Sequence, residues 1–576
     1  METVFRSWEE AHEVNNAKVN RQNIDEKRRG NMRRFYQNAA RKVWQMLLNP
    51  DKILPPMLIL VTTLLLLITA IMLVILRVTR PEFRFGWLIA VGGAFLAWIS
   101  VVLWQAQMPL SLALPPWQPT SLFSESPAFA ADRLSWPYAL SLITLALAIL
   151  LTASVREDFP NSLSWAGSLT LCALGLLAVT ANNPLTLVLV WAALDLTELI
   201  AMLRSAKEAQ SSERAVVAFS TRAAGVVLLL LADIVSIAVG KSMDFLSTPP
   251  QAGLFLLVAA GLRLGVLPLH LPYTPESSLR RGIGTTLRLV SAASSLVLLA
   301  RIPAPSLASP LTPLLLVLTA AAALYGGWMW LRASDELAGR PFWLIAIAAL
   351  AVASALRGDP AGAVAWGLAL VLAGGALFLA SVQQTWLNRA LLIGAWSLSA
   401  LPFSLTASGW ENNVGGFVLV LPFFLAAQAM IIVGFIRYAL RPSTHVSLDS
   451  QPVWTKGVYP AGIGILLFVQ VLLGFWGWDG AMRIGAWGTS IAASLLTFGL
   501  LWATPRFPIL NPVRAHWVQP ASASRLDRLY QSLWGLYRFL AHLSQTVSDT
   551  LEGESGIMWT LLFLILFVSL LTQRKP

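Results

Sequence analysis

The sequence contains very little cysteine and very little charge. Its single cysteine, Cys172, excludes a disulfide or a cysteine-based metal site within the chain. Only 12% of the 576 residues are charged, about half the fraction typical of soluble proteins. The first fifty residues lack an apolar core of the right length, so no signal peptide is expected. A disulfide-stabilised domain or a soluble multidomain enzyme is therefore excluded.

The sequence consists largely of long apolar stretches with few charged residues. Hydrophobic residues make up 56% of the chain and the mean hydropathy is +0.66. Residues 57–76 contain no charge, and a helix of about 20 residues spans about 30 Å of hydrocarbon. Lipid admits only helices or closed barrels, and these blocks are too long and too uniformly apolar for barrel strands. The sequence therefore predicts an all-α, polytopic transmembrane helical bundle.

The pattern divides the chain into four regions. A polar, basic N-terminal arm (1–52) precedes a transmembrane bundle (53–504). An amphipathic surface helix follows at 505–555, where leucines recur every three or four positions, and a final span and tail occupy 556–576. Sixteen spans are predicted, near 53–78, 86–104, 133–154, 162–181, 184–204, 214–240, 251–270, 283–301, 310–332, 341–357, 361–382, 390–408, 414–438, 457–476, 482–503 and 556–572.

The net charge of +12 is concentrated between the apolar blocks. Anionic headgroups and the positive-inside bias place basic residues there. No aromatic-basic module is present, so the expected partners are the lipid bilayer and other membrane subunits, with no nucleic acid. The loops after odd-numbered spans are the basic ones, which places them in the cytoplasm. The basic arm favours the opposite orientation, and the two signals conflict.

Charged residues inside the predicted spans are the candidates for chemistry, because charge at membrane depth is costly. Asp195 and Glu198 lie three positions apart and share a helix face. Arg263 precedes Pro268 by five residues, so a backbone hydrogen bond is lost near a cation, as at the ion sites of many transporters. The alternative for each charge is pairing within the bundle. The other candidates are Arg222, Asp233, Arg288 and Glu411.

The segment with Arg263, Pro268, His270 and Pro272 resembles the seventh helix of the antiporter-like subunits of respiratory complex I and of Mrp-type sodium/proton antiporters. In that family a lysine stands five residues before the proline. Further stretches agree in order: Asp132-Arg-Leu-Ser, NPLTLVLVW (183–191), AFSTRAAG (218–225) and IGAWSLSALPFSLTASGWE (393–411). The resemblance covers roughly residues 53–500, and the ending is similar to that of the largest such subunit.

The resemblance implies the proton-translocating antiporter fold, with broken helices and a C-terminal amphipathic lateral helix. The helix breaks are expected at Pro268 and Pro402. It also implies other membrane subunits of a complex I-like or Mrp-like assembly as partners, in a bacterial inner membrane. No nucleotide loop, metal cluster or nucleophile triad is present, so no cofactor, metal or chemical reaction of its own is expected.

Most of the family's titratable residues are replaced here. The family's fifth-span glutamate falls on Ala192, and its sixth-span aspartate falls on Gly225. The seventh-span lysine falls on Arg263, and the eighth-span histidine falls on Leu287 or Arg288. Residues 369–380 of the eleventh span contain no titratable side chain. Apart from His270, only Glu411 keeps a titratable group at a matching position. A proton relay needs groups with movable pKa values, whereas arginine stays protonated.

Three hypotheses follow. In the first, an antiporter-like subunit still moves protons or sodium by a rerouted path, with Asp195 in place of the lost glutamate and Asp233 in place of the lost aspartate. In the second, the same fold is a purely structural scaffold of a membrane complex. In the third, the chain carries a small anion or inorganic carbon, with Arg263 and Arg288 as ligands.

Overall fold

A computed structural model describes residues 50–83, 85–115, 126–156, 161–205, 209–241, 244–271, 281–382, 384–411, 419–441, 448, 451–504, 506 and 535. The predicted basic arm, surface helix and last span lie outside the described residues, apart from residues 50–52, 506 and 535.

Within this part of the chain, fifteen helices of thirteen or more residues follow one another, and each overlaps one of the first fifteen predicted spans. They are α1 Pro50–Thr79, α2 Gly86–Gln107, α3 Ser135–Thr152, α4 Ser162–Thr180, α5 Pro184–Ser205, α6 Ala209–Ala238, α7 Pro250–Leu264, α8 Arg281–Arg301, α9 Thr312–Arg332, α10 Arg340–Leu356, α11 Pro360–Leu379, α12 Thr385–Ser397, α13 Leu421–Ala439, α14 Val453–Phe475 and α15 Trp487–Ala503.

Eleven of these helices are long and apolar enough to cross a membrane, and α7, α10 and α15 are shorter apolar helices. The prediction of an integral, polytopic helical membrane protein is confirmed. Helices α3, α8 and α11 are buried almost throughout, whereas α1, α2 and α6 leave most of their apolar surface on the outside of the bundle. Neighbouring helices approach closely at small residues, as membrane helices commonly do.

A two-stranded ribbon was not anticipated from the sequence. Strand β1, Leu110–Ala113, pairs antiparallel with β2, Ala128–Ala131. The backbone N–H of Asn182 donates to the carbonyl oxygen of Ala128 at 2.9 Å, which fixes the ribbon to the start of α5. The strands are four mostly apolar residues each, and such short runs carry no periodic signal that separates a strand from a helix end.

The helices alternate in direction, which gives the bundle two ends. At the Arg281 face, Arg281 donates to the carbonyl oxygen of Phe378 at the end of α11 and pairs with Glu336, between α9 and α10. At the Glu411 face, Glu411 lies 3.7 Å from Arg483, just before α15.

Exposed basic residues are unequally divided between the two faces. Among the described residues, Arg77, Arg80, Arg204, Arg214, Arg389, Arg441, Lys456 and Arg506 lie exposed at or near the Arg281 face. Arg133, Lys241 and Arg483 lie exposed at the Glu411 face. Among the described residues, the exposed positive charge is thus concentrated at the Arg281 face.

Candidate functional site

Helices α5, α6 and α7 bring four of the predicted candidates into one buried cluster. Asp195 and Glu198 lie on α5, Arg222 on α6 and Arg263 on α7, and each is at most 2% exposed. The backbone N–H of Thr186 donates to the Asn183 side chain at 2.9 Å, and this contact stabilises the start of α5. Asp195 and Glu198 face the same neighbours, as their spacing predicted.

Arg263 binds Asp195 through both terminal nitrogens. Its Nη1 donates to Oδ2 at 2.5 Å and its Nη2 donates to Oδ1 at 2.7 Å. Its Nε donates to the Ser295 hydroxyl on α8 at 3.3 Å, and its guanidinium lies 4.2 Å from the centroid of the Trp191 ring. None of the hydrogen bonds of Arg263 goes to Asp233.

Glu198 and Arg222 form the second ion pair of the cluster. Nη1 of Arg222 also lies 3.9 Å from Oδ1 of Asp195, so the two pairs share one electrostatic environment. Two carboxylates and two guanidiniums leave the cluster without net charge. Each buried charge therefore has a partner of opposite sign, as burial demands.

Gly225 provides the space that Arg263 occupies. A methyl group at this position would lie 2.8 Å from Cγ and 3.1 Å from Cδ of Arg263. The stem of Arg263 therefore packs directly on this glycine, a relationship that residue type alone did not indicate.

Helix α7 ends at Leu264, next to Gly265, whose φ of +74° lies in the left-handed region. The N–H groups of Val266 and Leu267 both reach the carbonyl oxygen of Gly261, at 2.8 and 3.2 Å. The helix thus ends four residues before Pro268. The predicted seventh span, 251–270, is therefore shorter in the structure, since residues 265–269 form turns, and Pro272 lies outside the described residues.

His270 lies just beyond this helix end and is 9% exposed. Its Nδ1 donates to the carbonyl oxygen of Pro268 at 2.8 Å. The other ring nitrogen, Nε2, is buried and has no hydrogen-bond partner among the described residues. The remaining charged candidates of this half, Asp233 on α6 and Arg288 on α8, are also buried, at 3% and 0% exposure.

Glu411 does not join the cluster. Its side chain is 27% exposed at the Glu411 face, whereas Asp195 lies eleven residues into α5 from the same face, a depth of about 16 Å. Desolvation is the largest effect on Glu411 and, with nearby Asp359, raises its pKa; Arg483 and a backbone hydrogen bond from Gly485 oppose the rise. Asp359 itself caps α11 by accepting from the N–H of Gly362 at 2.9 Å.

Uncharged side chains surround the end of α12. The helix ends at Ser397, five residues before Pro402. Gln428 donates to the carbonyl oxygen of Leu398 and accepts from the Trp410 indole, both at 2.9 Å. The Thr406 hydroxyl donates to the carbonyl oxygen of Ser397 at 2.7 Å. The predicted twelfth span, 390–408, does not continue as an α-helix beyond Pro402, where turns lead into a 3-10 helix at Ala407–Trp410.

Sequence reasoning missed this neutral network because only charged residues were considered as candidates. Two glutamines inside apolar spans were the available signal. Gln428 lies on α13 and Gln470 on α14, where it donates to the Ser397 hydroxyl at 2.5 Å. Both are at most 1% exposed. A carboxamide in a buried span implies hydrogen-bond partners there.

The chemical capacity of the cluster is limited. The carboxyls of Asp195 and Glu198 are the groups in it that can take up a proton, since arginine stays charged. Helix α11, which packs against α8, is buried along its length and contains no titratable side chain. Among the described residues, no group of three His, Cys, Asp or Glu side chains is placed to hold a metal ion.

No protein-family model and no curated protein matches the chain. Solved structures do match. A chain of the membrane-bound sulfane sulfur reductase, an archaeal respiratory membrane complex, is 16% identical with a TM-score of 0.61, over 88% of this chain and 99% of that one. A chain of the Mrp complex from Dietzia sp. DQ12-45-1b is 14% identical with a TM-score of 0.65, over 90% of this chain and 63% of that one.

A chain of respiratory complex I from Thermus thermophilus is 20% identical with a TM-score of 0.55, over 74% of this chain and 100% of that one. At such low identity the likeness shows the fold. It confirms the predicted transmembrane bundle of the antiporter-like type.

Proposed function

We propose that the chain is a membrane subunit of a multi-subunit complex of the complex I or Mrp type, in a bacterial inner membrane. There it has a structural role: it holds the membrane part of the complex together without conducting ions. Its buried charges are fixed ion pairs rather than a proton relay. The observation that carries this proposal is the double hydrogen bond between Arg263 and Asp195.

The likeness to three solved chains supports membership of an assembly, because each belongs to a membrane complex or respiratory complex. The outward apolar faces of α1, α2 and α6 offer surface to lipid and to neighbouring subunits. Lipid does not drive helices together by hydrophobicity, so such contacts rest on packing and on polar groups between subunits.

The fixed-charge role follows from the chemistry of arginine. A relay residue must release its proton when its neighbours change, as a buried lysine does and arginine does not. Both terminal nitrogens of Arg263 are bound to one carboxylate. Protonating Asp195 would leave that guanidinium as an uncompensated buried cation, which costs several kcal/mol.

The interior beyond the cluster also favours a sealed subunit. The path from Arg263 to Glu411 crosses the packed region of α8 and α11, and α11 contributes no titratable group. At the end of α12, amide and hydroxyl groups satisfy the free carbonyls. The charged side chains of α8 are all arginines, which do not release a proton, and α11 contributes none.

A second candidate function is residual proton movement, and one observation favours it. The buried Nε2 of His270 lacks a hydrogen-bond partner beside the end of α7, and such an atom commonly binds water. A rerouted path would then join His270 to Asp195 and Glu198. The anion-carrier hypothesis is weaker, because both terminal nitrogens of the Arg263 guanidinium already donate to the carboxylate of Asp195.

Native electrophoresis of solubilised membranes tests the assembly. A tag on the full chain should migrate with a complex well above the 62.6 kDa of the chain and its detergent. Deletion of the gene should release or dissociate the remaining subunits of that complex. Migration as a single chain in mild detergent would contradict the proposal.

Proteoliposomes that contain the purified complex test the sealed role. A pH-sensitive dye inside the vesicles should report the same proton flux for the wild type and for Glu198→Gln. Thr197→Ala, at a half-buried position on the same helix, is the matched control. Loss of flux in Glu198→Gln alone, in a complex of normal composition, would establish the relay instead.

A further inference from the structure

A second polar cluster lies at the Arg281 face, away from the ion pairs described above. It involves Arg156 after α3, Arg281 at the start of α8, Ser381 after α11, and Thr455 and Tyr459 on α14. None of these residues belongs to the predicted ion pathway. The cluster is predominantly basic, and several of its buried polar atoms lack partners.

The two arginines lie close together. Arg281 precedes Gly282, and the terminal nitrogen Nη1 of Arg156 lies so near Gly282 that a methyl group there would overlap it. Arg281 is satisfied by the carbonyl oxygens of Phe378 and Ala380, at 2.7 and 3.3 Å, and by Glu336 at 2.8 Å. Within the described parts of the chain, Glu336 is the one carboxylate paired with either arginine. Among the described residues of the cluster, a net positive charge therefore remains.

Arg156 is the less satisfied of the two. Its Nη2 donates to the Thr152 hydroxyl at 3.4 Å, and its Nε is buried with no hydrogen-bond partner in the part of the chain that the structure describes. Burial, with a smaller contribution from the nearby Arg281, lowers the pKa of Arg156 to about 10, so the group remains charged at neutral pH. An anion beside the guanidinium would relieve this cost.

Two hydroxyl groups of the same region also lack partners. Thr455 is 0% exposed, and its Oγ1 has no hydrogen-bond partner. The Oγ of Ser381 is likewise buried without one. One turn after Thr455, the Tyr459 hydroxyl accepts from the N–H groups of Ser381 and Val382, at 2.8 and 2.9 Å. Unsatisfied buried donors beside a cation indicate a ligand with several acceptor oxygens.

We propose that this cluster binds a phosphate group, supplied by the headgroup of an anionic phospholipid. The location supports the lipid source. Trp454, next to Thr455 and 52% exposed, contacts Trp87 with ring centroids 5.7 Å apart, and such aromatic pairs mark the membrane interface. The exposed Lys456 follows. Arg156 and the hydroxyl groups contact the phosphate oxygens, and the acyl chains lie along the outer helices.

Native mass spectrometry of the purified full chain tests the proposal. The wild type should retain a phospholipid through a detergent wash that strips bulk lipid. Arg156→Gln should retain about tenfold less, because a charge-assisted hydrogen bond is lost. Thr455→Val should also retain less. Arg389→Gln, which removes an exposed cation near the same face, is the matched control and should retain the wild-type amount.

Two further measurements distinguish a phospholipid from free phosphate as the source of the phosphate group and control for misfolding of the variants. Phosphatidylglycerol in mixed micelles should raise the unfolding temperature of the wild type but not of Arg156→Gln, whereas phosphatidylcholine should raise neither. If inorganic phosphate alone gives the same Arg156-dependent stabilisation, the phosphate site is supported with free phosphate as its source. Gly282→Ala, which displaces the guanidinium without removing a polar group, should weaken retention. Equal retention by wild type, Arg156→Gln and Thr455→Val would overturn the proposal.

Discussion

Arg263 and Asp195, 68 positions apart in the sequence, meet through two hydrogen bonds of 2.5 and 2.7 Å in the interior of the bundle. A buried pair of this kind contributes little net stability when intact, yet removing one partner leaves an unpaired charge in low dielectric. The stability of the α5–α6–α7 region should therefore depend on both residues being present together.

Asp195→Asn should destabilise the protein by about 3–5 kcal/mol, because Arg263 keeps its charge and loses its partner. The single Cys172, buried on α4, provides the measurement, since a thiol-reactive dye labels it only when the bundle opens on heating. The double variant Asp195→Asn with Arg263→Gln should lose less stability than the two single changes added together. Additive losses would mean that the two residues are energetically independent.

Gly225→Ala should destabilise the bundle by about 1–3 kcal/mol, because a methyl group there overlaps the stem of Arg263 in a packed interior. The added atom would also lie 3.2 Å from the carbonyl oxygen of Ala259, which cannot rotate away. Gly464→Ala on α14 is the control, since a methyl group there meets nothing within 4 Å. If the two variants unfold at the same temperature, the packing of Arg263 on Gly225 is not tight.

Glu411→Gln should stabilise the protein at neutral pH and leave it unchanged in acid. Desolvation raises the pKa of Glu411 in the folded chain, so the folded state holds this proton more tightly than the unfolded state. The ionised carboxylate therefore lowers the stability of the folded chain. This loss is complete at pH values above the pKa of the folded state and absent below the pKa of the unfolded state, about 4.3. Unfolding temperatures of wild type and variant should separate as the pH rises through this interval.

Asp479→Asn is the control for this pH dependence. Asp479 pairs with Arg133 at 3.1 Å, but the two side chains are 48% and 74% exposed. Exposed pairs contribute about 1 kcal/mol or less. A Glu411→Gln variant that is less stable than wild type at neutral pH would show that attraction to Arg483 outweighs desolvation.

The sequence was sufficient to predict the bundle, because long uninterrupted apolar blocks can cross lipid only as helices. It also proposed Asp195 as the substitute for the replaced glutamate, and the structure places Asp195 against Arg263. Whether these residues carry ions stays a prediction. The roles of Gly225, Gln428 and Thr406 could not be predicted, because each depends on which atom of a distant helix lies opposite. The β1–β2 ribbon was missed for a similar reason, since its pairing is set by tertiary contacts.

Gln428 gives the sharpest test of the sealed end of α12. It satisfies two buried groups at once, the carbonyl oxygen of Leu398 and the indole N–H of Trp410. Gln428→Met keeps the approximate volume and removes both hydrogen bonds, so each group bears the cost of an unsatisfied buried polar atom, about 1–3 kcal/mol. Labelling of Cys172 on heating should therefore begin at a clearly lower temperature than in wild type.

Gln428→Glu separates the two contacts. A glutamate at this position still accepts from Trp410 but donates to Leu398 only when protonated, so its unfolding temperature should rise as the pH falls, while that of Gln428→Met should not follow it. If both variants match wild type at every pH, water already satisfies the end of α12. That interior would then be hydrated, and the residual proton path through this half of the chain would become the better account of its function.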